Sequence, residues 1–208
     1  MNSRSEKRAS VHPKLRSRLR ELTSEAILEA AEEVFSELGP AAGMDAIAQQ
    51  AGVAVGTLYN HFRDRDTLVD ALFEARAGVL VQRVADAIRD SEGLDLRARL
   101  VRGLEAIVSA NAPNAHFREV YLLAEQRKPR KQAMLERLRV AFLPLFEQAQ
   151  RDGALKPDPR RLQAAFLLGQ LRTALMISND APEQLPRSAV PALIVDQFLD
   201  GARGDRGE

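Results

Sequence analysis

The apolar residues of this chain recur at the spacing of an α-helix along nearly its whole length. Between residues 16 and 38 the stripe follows the spacings i, i+3, i+4, i+7, i+8 and i+11, and consists of Ile27, Ala30, Ala31, Val34, Phe35 and Leu38. Later stripes predict helices over about 64–91, 95–111, 115–125, 130–151, 158–178 and 188–199. With the two short helices described below, the pattern predicts an all-α protein of about nine helices.

Local signals predict where several of these helices begin and end. Gly39-Pro40 should end the first one, because glycine accepts the left-handed conformation after a helix and proline cannot continue it. Asp64 is a suitable N-cap for the fourth helix, and Asp158-Pro159 has N-cap and first-turn residues in the right order for a later one. Pro144 lies inside a long predicted helix, which it should kink or divide.

The stretch from Asp45 to Arg65 predicts two short helices joined by a tight turn. Gly52 can take the left-handed backbone conformation that the turn needs. Val53 is an apolar residue that should pack between the two helices. Leu58 and Phe62 are four residues apart, so they share the inward face of the second helix. Four hydrogen-bonding side chains are then left outside, where they suit phosphate oxygens and base edges: Thr57, Tyr59, Asn60 and His61. This pattern is typical of a helix-turn-helix, whose second helix enters the major groove of DNA.

The residues around this stretch agree in spacing with a known family. The matching positions are Val34-Phe35-Ser36-Glu37-Leu38-Gly39, Ile47-Ala48-x-x-Ala51-Gly52-Val53, Gly56-Thr57-Leu58-Tyr59-x-His61-Phe62 and Arg65-Asp66-x-Leu68. Over about residues 23–72 the chain therefore resembles the DNA-binding domain of the tetracycline-repressor (TetR) family of bacterial regulators. The resemblance implies a homodimeric repressor in which a divergent helical sensor domain follows the DNA reader.

The same resemblance implies which side chains bind DNA. Thr57 and Tyr59 match positions that usually contact phosphate or base edges. Asn60 and His61 lie on the exposed side of the second motif helix, which is the reading helix. Arg65 matches a basic residue, at the start of the next helix, that usually binds phosphate.

Two positions near the reading helix depart from the family pattern. The family often has threonine before the first motif helix and a polar or basic residue at the start of the second, where this chain has Gly43 and Val55. Gly43 has no side chain for a cap or a contact. Val55 offers only apolar contact, for example to a thymine methyl group. The operator sequence therefore does not follow from relatives.

The charge distribution and the helix pattern together predict the domain boundaries. Residues 1–20 hold seven basic residues and one acid, a net charge of +6, although the whole chain carries only +1. Their start should be a mobile basic arm that follows phosphates or enters a minor groove. The alternatives are a solvated tail or a misplaced start site. The predicted segments are the arm 1–15, the helix-turn-helix domain 16–66, the helical sensor and dimerisation domain 67–201 and a frayed tail 202–208.

Composition argues against several other classes of protein. The chain has no cysteine, which excludes a disulfide framework and a thiolate metal site. His12, His61 and His116 are scattered, and no catalytic or phosphate-binding motif occurs, so we expect no catalytic residue, no metal and no cofactor. No signal-peptide core and no run of about 18 apolar residues is present, so the sequence predicts a soluble, cytoplasmic protein without membrane contact.

The helical segments after residue 67 should form a pocket for a small-molecule effector. A helical bundle with a cavity suits a mostly apolar molecule. Candidate contacts are the polar residues inside apolar segments, although such residues are more often ordinary core or surface groups: Asn111, His116, Tyr121, Glu125, Gln170 and Arg172.

Residues 162–177 are apolar nearly all round, which predicts burial on two sides. One predicted face consists of Ala165, Leu168, Gly169, Arg172, Leu175 and Met176, and the other of Phe166, Gln170, Leu171, Ala174 and Ile177. One face would fill the sensor domain, and the other would join the last helix in a two-fold four-helix bundle with a second copy. Arg172 would then be buried and would need an acid, a carbonyl, water or an anionic ligand.

These features predict a repressor that binds a two-fold double-stranded DNA operator as a homodimer and is released by an effector. Two alternatives stay open. One is an architectural or activating DNA-binding protein that has no effector. The other is a helical ligand-binding protein whose N-terminal unit no longer binds DNA, given Gly43 and Val55.

Overall fold

The computed structural model describes residues 11–110 and 128–202, and within these ranges the regular structure is helical. The predicted all-α fold is confirmed. The helices are α1 Val11–Leu38, α2 Met44–Gln50, α3 Val55–His61, α4 Arg65–Asp90, α5 Leu96–Ala110, α6 Lys128–Arg151, α7 Arg160–Asp180 and α8 Val190–Ala202, with a 3-10 turn at Arg187–Ala189. The helix predicted over 115–125 lies outside the described residues.

Most helix bounds agree with the sequence pattern. The start of α1 and the continuity of α6 at Pro144 need comment. α1 begins at Val11 rather than at Arg16, so the helix extends into the segment predicted to be a mobile arm. α6 runs through Pro144 as one element. Division at Pro144 was therefore a wrong alternative, because Phe142 and Phe146 on either side of it are fully buried and hold both halves in the core.

The two predicted N-caps have different outcomes. Asp64 caps α4, since its Oδ1 accepts hydrogen bonds from the Thr67 amide and hydroxyl, both at 2.7 Å. These bonds to the ionised carboxylate lower the pKa of Asp64 to about 2. The prediction for Asp158 is wrong: Pro159 occupies the N-cap of α7 and makes no side-chain cap bond. Gln150 instead fixes this loop, donating from Nε2 to the carbonyl of Asp158 at 2.6 Å.

The chain divides into two compact units, and α4 passes from the first into the second. Of the described residues, 11–74 belong to the first unit, and 75–110 and 128–202 to the second. In the second unit α7 packs on α6 and α8, and α8 also packs on α5. Gly103 on α5 is buried against Phe142 of α6, so closely that an added Cβ would lie 2.8 Å from the ring.

The buried and exposed residues of α7 do not divide as the two predicted faces did. Leu168 is buried together with Leu171 and Ala174, although the sequence pattern assigned it to the opposite face. The exposed residues are instead Leu162, Phe166, Gly169, Arg172, Thr173, Met176 and Ile177. A helix that is apolar all round does not itself indicate which side faces its own domain, because that side depends on where α6 and α8 lie.

Candidate nucleic-acid interface

The helix-turn-helix is built from α2, α3 and the four residues between them. Gly52 has a positive φ of 65°, a conformation that a side chain disfavours, and it turns the chain after α2. Two backbone bonds close the turn: the Gly52 amide donates to the carbonyl of Gln49 at 3.1 Å, and the Val53 amide to that of Ala48 at 3.0 Å. Val53 is half-buried, as expected for an apolar residue between the two helices.

Apolar contacts fix the orientation of α3 in the first unit. Leu58 is fully buried and Phe62 nearly so, which confirms that they share the inward face. Ile47 and Ala48 of α2 are buried as well, and Gly43 caps α2 without any side-chain bond. With its inner face held by the core, α3 presents its other face to solvent.

The outer face of α3 carries side chains suited to DNA. Tyr59 is 48% exposed, and Val55 and Asn60 are also exposed. Thr57 is half-buried, so its hydroxyl lies at the edge of this face rather than at its centre. A phenol, an amide and an isopropyl group together offer hydrogen bonds to phosphates and base edges and apolar contact to thymine.

His61 is less exposed than the sequence suggested, because it contacts α1. Its Nδ1 lies 2.7 Å from the hydroxyl oxygen of Ser24, and the side chain is half-buried. When Ser24 donates to Nδ1, the neutral ring carries its proton on Nε2, which makes Nε2 a hydrogen-bond donor. Ser24 was missed at the sequence level because 37 positions separate it from His61.

Two arginines flank the end of the reading helix. Arg65 is held inside the unit, since Nη2 donates to the carbonyl of Pro40 and the guanidinium carbon lies 5.2 Å from the centroid of the Phe35 ring. Arg63 is 88% exposed and pairs with the neighbouring Asp64 at 3.0 Å. The structure therefore adds Arg63 as a candidate phosphate ligand, and gives Arg65 a structural role beside the predicted one.

The candidate effector contacts are only partly described. Asn111, His116, Tyr121 and Glu125 lie outside the described residues. Gln170 is half-buried, and its Oε1 is shielded from solvent without a hydrogen-bond partner among the described atoms. Arg172 is exposed on the single chain, so its predicted burial would require the second copy.

Residues 11–110 and 128–202 contain neither a candidate metal site nor a candidate membrane span. No group of three or more histidine, aspartate or glutamate side chains in these ranges could hold a metal ion. Within the same ranges, every helix is too short or too polar to span a bilayer.

Known proteins resemble this chain over most of its length. The family model for bacterial regulatory proteins of the tetR family matches residues 27–72. The HTH-type transcriptional regulator UidR of Escherichia coli K12 is 31% identical over 171 residues, which cover 78% of this chain and 84% of that protein.

Two solved structures show the same fold at lower identity. The regulator FadR from Bacillus subtilis, in complex with stearoyl-CoA, is 20% identical, covers 85% of this chain and 98% of that one, and has a TM-score of 0.71. SmeT, repressor of a multidrug efflux pump in Stenotrophomonas maltophilia, is 21% identical, covers 88% and 91%, and has a TM-score of 0.68.

The structure of the first unit and the similarity to known proteins agree on one family. The turn at Gly52, the buried Leu58 and Phe62 and the exposed outer face of α3 form a helix-turn-helix. The family model covers that same segment, and UidR extends the similarity far into the second unit. The chain belongs to the TetR family of DNA-binding transcriptional regulators, which are not enzymes.

Proposed function

We propose that this chain is a ligand-responsive repressor, working in the cytoplasm, that binds a two-fold DNA operator as a homodimer. The observation that carries the proposal is the division of α3 into two faces. Leu58 anchors the inner face in the core, while Tyr59 and Asn60 lie on an open outer face. A helix held in this way can enter a major groove of about 12 Å width without loss of packing.

Some residues of this interface suit base edges, and others suit phosphate oxygens. Asn60 can bind an adenine edge through its amide, and Val55 can contact a thymine methyl group. Tyr59, Thr57 and the Nε2 of His61 suit phosphate oxygens. Arg63 would add a phosphate contact, and Arg65 has further N–H donors beyond the one bonded to Pro40. Gly43 can contribute only through its backbone.

The homodimer would form through the outward faces of α7 and α8. Phe166, Met176 and Ile177 are at least half-exposed on α7, and Leu193 is exposed on α8. Gly169 lies among the exposed α7 residues, and a Cβ built on it would meet nothing within 4 Å, so a second helix can approach closely there. In a two-fold contact each of these residues is buried on both protomers, as in an isologous interface.

The contribution of Phe166 can be estimated from its exposure. The side chain is 60% exposed, and a phenylalanine can bury roughly 200 Å². Covering that exposed share would contribute about 3 kcal/mol per protomer to dimerisation. Phe166→Ala should therefore shift the protein from dimer toward monomer in sedimentation equilibrium. Leu94→Ala is the matched control, because Leu94 is similarly exposed but lies between α4 and α5.

The effector should be mostly apolar, with few polar contacts in the second unit. The Bacillus subtilis relative of the same fold was solved with stearoyl-CoA, so an acyl thioester is the first class to test. Two polar groups on α7 support a ligand near this helix: Gln170 Oε1 and Ser178 Oγ are shielded from solvent and have no hydrogen-bond partner among the described atoms. Such groups are costly unless a ligand or water satisfies them.

DNA binding is tested with duplexes selected by the wild-type protein from a random-sequence pool. Arg63→Ala should weaken binding to all selected sequences and lower the salt slope of the affinity by about one. Arg89→Ala is the control, because Arg89 is also exposed and paired with an acid, but lies near the end of α4. Equal effects of the two variants would mean that diffuse charge, and not the α3 region, holds the DNA.

Effector control is tested on the preformed protein–DNA complex. Stearoyl-CoA should release the duplex, while coenzyme A without the acyl chain should not. If acyl thioesters of every length bind the protein but leave the complex intact, the protein senses a ligand without inducer-controlled operator binding. If the wild type selects no duplex at all, the helical ligand-binding alternative replaces the repressor.

A further inference from the structure

The N-terminal half of α1 carries an exposed leucine stripe. Leu15, Leu19 and Leu22 are 53%, 54% and 54% exposed, and Ala26 continues the line as a further exposed residue. Their spacing of four, three and four residues is that of the core positions of a coiled coil. The ten residues before Val11 include one large apolar residue, Met1, so that segment has too little apolar surface to cover the stripe.

Charge is distributed along the same helix with opposite signs at its two ends. Residues 14–20 carry four basic side chains and no acid, whereas residues 21–29 carry three glutamates and no base. These side chains are exposed: Lys14, Arg16, Arg18, Arg20, Glu21, Glu25 and Glu29. Two copies of this helix side by side would repel if parallel, and would match basic to acidic ends if antiparallel.

We propose that the leucine stripe is a second self-association surface, which pairs with the stripe of another copy of this chain as a short antiparallel coiled coil. In that register Leu19 packs against Leu22 of the other copy, and Leu15 lies beside the other Ala26. Arg18 and Glu25 take the flanking positions that face each other across an antiparallel seam, so two such ion pairs form per contact. The pairing is two-fold and uses one surface on both copies.

This contact is small, since only a few side chains from each copy are covered. It should therefore be weak in dilute solution and should strengthen when several copies are concentrated on one duplex. It uses other residues than the α7 and α8 surface, and it should form without DNA at high protein concentration. It can be tested on the full-length protein without DNA.

Cysteine cross-linking gives a direct test, because the chain has no cysteine of its own. Leu15→Cys and Ala26→Cys proteins are mixed and oxidised gently at high protein concentration. An antiparallel seam brings these two positions together, whereas two copies of residue 15 would lie about 16 Å apart along the axis. That exceeds the roughly 7 Å between Cα atoms that a disulfide can span. The mixture should therefore cross-link, and Leu15→Cys alone should not.

A charge exchange provides a second, independent measurement. Arg18→Glu and Glu25→Arg, introduced singly into the cysteine proteins, should each remove most of the cross-linked product, and both together should restore it. Ser17→Cys mixed with Ala26→Cys is the control, since Ser17 lies on another side of α1. Circular dichroism checks that each variant keeps its helix content.

Three results would overturn the proposal. Cross-linking of Leu15→Cys with itself would show a parallel contact. Equal yields from the Ser17→Cys mixture would show random collision. No cross-linking in any mixture would show that the stripe serves another occupant, such as DNA or a different protein.

Discussion

Gly103 is the position where a single added methyl group gives the sharpest test of the packing in the second unit. A Cβ built there lies 2.8 Å from two ring carbons of Phe142 and 3.1 Å from Cγ1 of Ile88. All three residues are buried, so neither neighbour can move away into solvent. Gly103→Ala should therefore destabilise the fold, although alanine is the better helix former.

The magnitude follows from two opposing effects. Replacing glycine by alanine inside a helix is worth about 1 kcal/mol. Forcing an extra carbon into a packed core costs about 1–3 kcal/mol. The net change for Gly103→Ala is then a loss of about 0–2 kcal/mol in the free energy of unfolding.

Gly78→Ala is a matched control in the same unit. Gly78 also lies inside a long helix, but its added Cβ would make an ordinary contact with Nη2 of Arg137 at 3.5 Å. Both variants gain about 1 kcal/mol of helix propensity, so the overpacking cost of about 1–3 kcal/mol separates them. The Tm of Gly78→Ala should therefore exceed that of Gly103→Ala by at least about 2 °C. Thermal melts at one protomer concentration measure the difference, because dimerisation makes Tm depend on concentration. A Gly103→Ala protein as stable as Gly78→Ala would show that α5 and α6 are not packed as described.

Three further predictions concern the DNA-binding unit. Ser24→Ala should weaken DNA binding several-fold and shift the imidazole 15N resonances of His61. Ser24→Thr keeps the hydroxyl and should restore both. Unchanged spectra in Ser24→Ala would show that the hydroxyl does not bind His61. Asp64→Ala should lower stability at neutral pH through the lost bonds to Thr67. Because the folded pKa of about 2 is below the usual 3.8, most of this deficit should be lost as the pH falls from about 4 to 2 in urea melts. A deficit as large at pH 2 as at pH 7 would contradict this. Removing residues 1–10 should reduce DNA affinity most at low salt, and equal affinity at low salt would make that segment a solvated tail.

Contacts that are local in sequence could be predicted from the sequence. Helical stripes, the turn at Gly52 and the Asp64 cap each depend on residues a few positions apart, so their signals lie within one short window. Asp158 shows where such signals fail. Its position before a proline indicated a cap, but the side chain of Gln150, on the preceding helix, holds the loop in another geometry.

Contacts between distant parts of the chain could not be predicted from spacing. Ser24 and His61 come together only when α1 packs on the reading helix. Likewise, Arg65 has the sequence position of a phosphate ligand, yet the fold places it between Pro40 and Phe35. Which face of α7 points outward depends on its neighbours, and so the exposure of Phe166 required the structure.

Hydroxyl-radical footprinting on a selected duplex tests the central claim most directly. If two copies of α3 enter successive major grooves, the wild type should protect two symmetric segments about 34 Å apart on one face of the DNA. A variant carrying Tyr59→Ala and Asn60→Ala should lose both protected segments together while keeping its helix content and its dimer. A single protected segment, or a two-fold pattern that survives removal of these side chains, would contradict a dimer that reads DNA through the outer face of α3.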